Sequence, residues 1–275
     1  MDFLQILLLL MTGLVVGFYS GIMGTGGNVI LIPILDALLA ARGVHNEELV
    51  KSVIAHSLMV TLFNGIFISY RQYRTNNFYP KEAIITAFLG VLTAFFTTHF
   101  ITSGDWYDKK KFNIVFVTML LLLVIKLFTD RKSGVIETKE RSNTLLFLLT
   151  GGITGILTSL SGMGGGILLI PAFTDGMKMS IRKAASISIS AIALLALPIS
   201  LQYLTTKPPK NFPTLPLPIG YFSFGMILPI LLGMFVAAPF GVKIAHKIHP
   251  LTLRFIFAGI IAVLCIKTIF DIITN

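Results

Sequence analysis

Two glycine clusters are the residues in this sequence whose types and spacing suit ligand binding. The first opens the run GTGGNVILIP at 24–33, and the second opens GMGGGILLIP at 162–171. Each cluster stands between long apolar stretches and is followed by an apolar tetrad and a proline. Glycine lets the backbone bend sharply, and a helix that starts just after the bend exposes unpaired N–H groups and a positive dipole end. Such a helix start favours an anion without any charged side chain.

The two clusters are predicted to face each other and to form one small oxyanion-binding cradle near mid-membrane. Hydroxyl, amide and imidazole side chains beside the clusters, and in the segments that follow them, are expected to complete it. The predicted substrate-binding residues are Gly24, Thr25, Gly26, Gly27, Asn28, His56, Ser57, Ser161, Gly162, Gly164, Gly165, Gly166 and Ser188. The alternative is that the glycines only permit close helix packing, as small residues often do in membranes.

His56 is an ionisable residue within an apolar segment. Ionisable groups in membrane segments mark transport pathways and proton relays, so His56 is a candidate proton-coupling residue. The alternative is a neutral histidine that is hydrogen-bonded near the membrane interface.

No motif in the sequence is typical of catalysis or of a metal centre. There is no HExxH, no CxxC and no Gly-x-Ser-x-Gly, and the single cysteine, Cys265, excludes an intrachain disulfide. No Lys-Ser or Lys-Thr pair follows either glycine cluster, which excludes a phosphate-binding P-loop. We therefore expect no enzyme activity, no cofactor and no metal.

Composition predicts that membrane helices position these residues. Of the 275 residues 55% are hydrophobic and 12% charged, and the mean hydropathy is +0.85. Soluble domains carry about 25% charged residues, so the chain is predicted to be a polytopic membrane protein. The net charge is +10, and the basic residues stand in short loops between apolar runs. This distribution indicates that the positive charge interacts with a lipid bilayer rather than with nucleic acid.

Apolar segments follow one another along the whole chain. They cover approximately 3–22, 29–41, 48–70, 80–103, 112–129, 144–160, 166–177, 184–205, 217–242 and 251–270. Crossing about 30 Å of hydrocarbon takes about 20 residues, so 29–41 and 166–177 are too short for ordinary spans. We expect these two to fold back at the glycine clusters, as the second arms of helical hairpins.

The chain divides into two similar halves. Beyond the glycine clusters, VIAHSL at 53–58 aligns with AASISI at 184–189, and IKLF at 125–128 aligns with IKTI at 266–269. The predicted parts are a first membrane repeat over 1–129, a linker loop over 130–143 and a second membrane repeat over 144–275.

The distribution of charge selects the topology. If both glycine breaks fold the chain back, one side holds the loops at 71–81, 130–141, 175–183 and 243–254. With Lys126 and Lys267 left out as intramembrane residues, that side then carries 13 Lys and Arg residues against 7 on the other. Basic loops stay in the cytoplasm, which predicts a multi-pass inner-membrane protein with both termini outside. Each half then crosses an odd number of times, so the halves are predicted to be inverted repeats.

At these residues the chain resembles the TauE/SafE family of sulfite and organosulfonate exporters. That family has two repeats, each with a glycine-rich turn of the type GxGGG, an apolar stretch ending in proline, and a downstream segment like AVGTS. The cluster at 162–171 fits this pattern, whereas the first cluster has Asn28 where a third adjacent glycine is usual. The downstream segments at 53–57 and 184–188 keep the final serine and the general pattern.

The resemblance implies an all-α secondary transporter that exports a small sulfur-containing oxyanion, with alternating access between its two repeats. An anion channel, a carrier of another small solute and, less favoured, an intramembrane enzyme are the alternatives. The sequence leaves open the coupling ion, H⁺ or Na⁺, and a homo-oligomeric state.

Overall fold

The computed structural model describes residues 2–23, 27–129, 143–245 and 250–274, and most of them are helical. The helices are α1 (Phe3–Met23), α2 (Asn28–Ala40), α3 (Asn46–Arg74), α4 (Pro80–Ser103), α5 (Lys109–Thr129), α6 (Thr144–Ser161), α7 (Gly166–Pro171), α8 (Ile181–Thr205), α9 (Phe224–Ala245) and α10 (Pro250–Thr274). Strands β1 (Pro218–Ile219) and β2 (Phe222–Ser223) pair antiparallel in a short hairpin. Of the predicted linker, residues 130–142 lie outside the described residues.

The helices coincide with the predicted apolar segments, with two differences that have local causes. The segment predicted over 217–242 begins as the β-hairpin, and α9 starts only at Phe224. Gly220, with a φ of +59°, closes this hairpin against the end of α8, where a side chain would collide with the α8 backbone. The other difference follows Pro171, where α7 continues as a π-helical turn over Ala172–Gly176. Proline lacks an N–H and disturbs the regular hydrogen-bond ladder, which explains the change.

Within the described chain, six helices are long and apolar enough to cross a bilayer, namely α1, α3, α4, α6, α8 and α9. The segments Asn28–Ala40 and Gly166–Gly176 are shorter. At 1.5 Å per residue they extend about 20 Å and about 16 Å, less than the hydrocarbon thickness of about 30 Å. The predicted all-α, polytopic membrane fold is confirmed.

The α7 segment folds back along α6. The rings of Phe147, near the start of α6, and Phe173, in the π turn, have centroids 5.3 Å apart. Gly176, at the end of the turn, lies beside Leu146. Both ends of this helical hairpin therefore lie on one side of the molecule, which we call the linker side because α5 also ends there.

α1 and α2 form a second hairpin, which enters from the opposite side. α1 runs parallel to α9, because Gly13 packs on Ile230 and Gly17 packs on the next turn of α9. Arg42, just after α2, donates a hydrogen bond of 3.3 Å to the Met226 sulfur in the first turn of α9. The start of α1 and the end of α2 therefore lie together, on the side that we call the N-terminal side.

α6 packs parallel to α4 in the way that α1 packs on α9. Gly151 contacts the backbone at Thr86, and Gly155 contacts the backbone at Gly90. A side chain at either glycine would collide with the neighbouring helix, so these glycines serve close helix packing. This is the role that the sequence left as the alternative for the glycine clusters. It applies here to other glycines and, within the first cluster, to Gly27, which packs on Val16 of α1.

α3 and α8 run antiparallel through the centre of the molecule. Gly65 brings α3 close to Ala193 of α8, and the hydroxyls of Ser69 and Ser190 lie 3.0 Å apart. α3 is buried without interruption over Leu49–Val60, which makes it the central element of the core. The two hairpins flank this pair.

Candidate functional site

The two glycine turns meet at Asn28, the first residue of α2. Its amide nitrogen donates to the Gly162 carbonyl at 2.7 Å and to the Thr61 hydroxyl at 2.6 Å, with a longer contact of 3.4 Å to the Ser57 carbonyl. Carbonyl oxygens only accept hydrogen bonds, so the amide nitrogen rather than its oxygen faces them. The Ser57 hydroxyl also donates to the Gly162 carbonyl, at 3.2 Å. The start of α2 is thereby tied to the turn before α7.

The second turn has a backbone conformation that favours glycine. Gly162, Gly164 and Gly165 have φ angles of +69°, +76° and +67°. A Cβ atom at Gly165 would collide with Thr154 and would lie 2.8 Å from the Thr158 hydroxyl oxygen. Glycine alone adopts this left-handed region without strain, so the cluster is needed to reverse the chain between α6 and α7.

A cavity of about 40 Å³ lies between the two turns and the α3–α8 pair. A single water needs about 10–15 Å³ by this measure, so the space suits about three waters or a small anion. Its polar and glycine lining consists of Ser20, Asn28, Thr61, Asn64, Gly65, Gly164, Gly166 and Ser188. Its apolar lining consists of Ile68, Met163, Ile189 and Ile192.

The electrostatics of the cavity favour an anion. None of the described residues that line it carries a formal charge. α2 and α7 both begin at the cavity, at Asn28 and Gly166, and no described side chain caps either helix start. Uncapped helix starts present unpaired N–H groups and the positive end of the helix dipole. Ser188 adds a fully buried hydroxyl that has no hydrogen-bond partner among the described residues.

The structure divides the predicted binding residues other than His56 into three groups. Those that line the cavity are Asn28, Gly164, Gly166 and Ser188. Those that shape or tie the turns without lining the cavity are Gly27, Ser57, Ser161, Gly162 and Gly165. Gly24, Thr25 and Gly26 lie outside the described residues.

His56 does not line the cavity, and both of its ring nitrogens are engaged elsewhere. Nδ1 lies 2.7 Å from the Ser52 carbonyl oxygen, and Nε2 accepts the backbone N–H of Ser223 at 2.9 Å. A carbonyl only accepts, so Nδ1 carries the proton and the imidazole is neutral. His56 therefore ties α3 to strand β2; it is neutral and hydrogen-bonded, as in the alternative, and it is fully buried.

One face of α3 is the part of the cavity that sequence reasoning missed. Thr61, Asn64, Gly65 and Ile68 follow Ser57 at the spacing of a single helix face. The sequence does contain a signal for this part of the cavity. Polar and small residues continue from the candidate Ser57 along one face of an otherwise apolar helix.

The buried lysine of the described core lies on the N-terminal side, away from the cavity. Lys51 is 4% exposed and pairs with Glu48 at 3.1 Å and with Asp105 at 3.3 Å. Burial and the nearby Glu48 carboxylate raise the pKa of Tyr221 in the β-hairpin above its usual range. A compact polar cluster therefore stands at the N-terminal-side ends of α3 and α8.

Comparison with known proteins gives matches along nearly the whole chain. The profile of the family described as "Sulfite exporter TauE/SafE" matches residues 7–268. A "probable membrane transporter protein" of Methanocaldococcus jannaschii is 29% identical over 269 residues, covering 96% of this chain and 95% of that protein. A Haemophilus influenzae protein of the same description is 28% identical over 267 residues, covering 96% and 98%. No solved structure matches the chain.

Proposed function

The chain belongs to the sulfite exporter TauE/SafE family, and we propose that it exports a small sulfur-containing oxyanion, sulfite or an organosulfonate, across the cell membrane. That it is a multi-pass membrane transporter, as predicted, follows from the family, from the names of its relatives and from the six apolar helices. A bilayer and a small-molecule substrate are its partners. The choice of anion is supported by the family's description and by the chemistry of the cavity.

The observation that carries the proposal is the neutral cavity between two opposed helix starts. Backbone N–H groups at the starts of α2 and α7 are the proposed donors to the substrate oxygens, with the Ser188 hydroxyl beside them. Gly164 and Gly166 leave the backbone of the second turn uncovered, which lets an anion approach it closely. The amide hydrogens of Asn28 are engaged with protein acceptors, so its proposed role is to hold the two turns together.

Alternating access is supported by the matched order of helices in the two halves. Each half consists of a hairpin followed by three helices, α1–α5 and then α6–α10, and the hairpins enter from opposite sides. α1 packs on α9 and α6 packs on α4, so each hairpin contacts the equivalent helix of the other half. A twofold axis in the membrane plane generates this exchange, and we infer that the halves are inverted repeats. Rocking of one repeat against the other is the proposed transport step.

The proposed orientation places the linker side in the cytoplasm, by the excess of Lys and Arg there. The cavity residues of α3, Thr61–Ile68, lie in the half of that helix nearer the linker side. The described state is therefore interpreted as one in which the cavity lies closer to the cytoplasm and the N-terminal side is closed.

Uptake of labelled sulfite into proteoliposomes tests the proposal. The wild type should take up sulfite with saturation, and Ser188→Ala should raise KM about 10- to 100-fold. A hydrogen bond to a charged group is worth about 1.5–3 kcal/mol, and each 1.4 kcal/mol is a factor of about ten. Ser190→Ala is the matched control, because this hydroxyl lies on the same helix but contacts Ser69 at 3.0 Å instead of lining the cavity.

Each other outcome has a defined meaning. Flux that rises linearly with concentration would indicate an anion channel. Equal KM values in Ser188→Ala and Ser190→Ala would show that Ser188 does not contact the substrate. A lack of uptake for sulfite and simple sulfonates, with and without a pH gradient, would refute the proposed substrate class.

A further inference from the structure

A second polar region lies on the N-terminal side of the cavity, around the first half of α3, near the β-hairpin and the end of α8. The stretch of α3 over Leu49–Val60 is fully buried, yet it contains the polar residues Lys51, Ser52, His56 and Ser57. The hydrogen bonds from Asn28 and Ser57 to the Gly162 carbonyl separate this region from the cavity. We call these bonds the partition; the apolar residues Ile32 and Ile54 lie beside them at Gly162.

Several polar atoms of this region have no hydrogen-bond partner among the described residues. They are the hydroxyls of Ser52, Ser200 and Tyr203. Ser52, Ser200 and Tyr203 are at most 2% exposed. Serines inside helices usually bond to a carbonyl one turn earlier, and buried polar groups are normally satisfied. A helix contact that served packing alone would have apolar side chains at these positions.

The same region reaches solvent on the N-terminal side. Lys51 bridges Glu48 to Asp105, and the Asp105 side chain is 85% exposed. The rings of Tyr203 and Tyr221 pack edge to face beside this cluster, with centroids 5.8 Å apart. Polar groups thus extend from exposed Asp105 inward to the partition at the glycine turns.

We propose that this outer seam, formed by Glu48, Lys51, Ser52, Ser200 and Tyr203, is the closed half of the anion's path. The inference rests on the proposed carrier function. It deepens that function by assigning residues to the half of the transport path that the cavity does not reach. The partition, the His56–Ser223 bond and the Lys51 ion pairs hold the seam shut. When α3 and α8 separate there, water reaches the unpaired hydroxyls and the anion passes the Lys51 ammonium group.

Cysteine accessibility tests the seam in the full chain. With Cys265 replaced by alanine, each variant carries one thiol, at Ser52→Cys, Ser200→Cys, Thr98→Cys or Lys210→Cys. Lys210 is exposed in the loop after α8 and serves as the reference. A membrane-impermeant maleimide is added to intact cells and to inside-out vesicles. The preparation in which it labels Lys210→Cys is the one with the N-terminal side accessible.

The buried control is matched to the seam in burial and depth. Thr98 is 0% exposed and bonds to Ser159, near the end of α4 on the N-terminal side, and it is not one of the seam residues. The same variants are assayed for saturable methanesulfonate transport, because sulfite would itself react with the maleimide. Ser52 and Ser200 lie on different helices, so a folding defect in one variant leaves the other to give the result.

Labelling of Ser52→Cys and Ser200→Cys is expected at a small fraction of the reference rate, about 0.1–10%, as for a minor conformer. Thr98→Cys should stay unlabelled. No labelling of either seam cysteine in variants that still transport would overturn the seam and leave the carrier function standing. Labelling of Thr98→Cys at the same rate would indicate general loosening and would also overturn it. Seam labelling in a chain that transports no tested anion would support opening of the seam but count against the proposed function.

Discussion

Replacement of Asn28 by aspartate tests most directly whether an anion binds between the glycine turns. The substitution keeps the size of the side chain, removes both amide hydrogens and adds a negative charge to the cavity wall. In the wild type the amide nitrogen holds the Gly162 carbonyl at 2.7 Å and the Thr61 hydroxyl at 2.6 Å. The new carboxylate would face acceptors on one side and the substrate on the other.

The expected effects on stability and on affinity differ in size. Two short hydrogen bonds are lost, which costs about 2 kcal/mol of unfolding free energy at about 1 kcal/mol each. Two like charges about 4 Å apart, at an effective dielectric constant of about 20, repel by about 4 kcal/mol. At 1.4 kcal/mol per factor of ten, affinity for the anion falls about 1,000-fold. Asn28→Ala loses the same bonds without adding charge, so it should share the stability loss and keep much more of the affinity.

The assay combines KM for sulfite uptake with thermal unfolding of the purified protein. Asn113→Asp is the control, because Asn113 in α5 is 6% exposed and is not among the residues that line the cavity. It places the same charge at a comparably buried position, and its KM should match that of the wild type. A wild-type KM in folded Asn28→Asp would refute an anion site between the turns, whatever happens to stability.

Three further predictions address topology, the second turn and the buried histidine. Asp2→Cys and His45→Cys should be labelled by an impermeant maleimide from the same side of the membrane, and Thr75→Cys from the other, since all three positions are exposed. Labelling of Asp2→Cys and His45→Cys from opposite sides would reject the first hairpin. Gly165→Ala should lower the unfolding free energy by about 2–5 kcal/mol through left-handed strain and overpacking. Gly176→Ala, with its nearest contact at 4.0 Å, should change the melting temperature little, and equal shifts would contradict this turn geometry. His56→Ala should cost about 1–3 kcal/mol of stability, because it leaves a backbone N–H of β2 unpaired. The pH profile of uptake should keep its shape in His56→Ala, and a displaced profile would favour a proton role.

The short helices after the glycine clusters were predictable because they follow from length and from backbone chemistry. An apolar run of about a dozen residues does not cross about 30 Å of hydrocarbon. A glycine cluster in front of it supplies the sharp turn that folds it back. The bond between Asn28 and Gly162 was not predictable in the same way, because it joins residues 134 positions apart and depends on how the two hairpins approach each other.

The geometry of a helix explains why only some of the predicted binding residues line the cavity. His56 and Ser57 are adjacent, but successive residues of a helix lie about 100° apart around its axis. Ser57 therefore faces the second glycine turn while His56 faces strand β2. Without knowing which face of α3 points to the turns, the sequence assigns both to the site and misses Thr61 and Asn64. The π turn after Pro171 is a similar case. Its local cause is the proline, but the shape of the turn that results depends on packing.

The separation of charge from the cavity has a consequence for transport. A carrier must bind its substrate and also release it on the other side, so very tight binding is a disadvantage. A lysine in the cavity would form charge-assisted bonds roughly twice as strong as neutral ones. In the described structure the buried lysine, Lys51, stands instead in the outer seam, where Glu48 and Asp105 balance its charge. In the proposed mechanism, neutral donors hold the anion where it is loaded, and the cation draws it outward only when the ion pairs part.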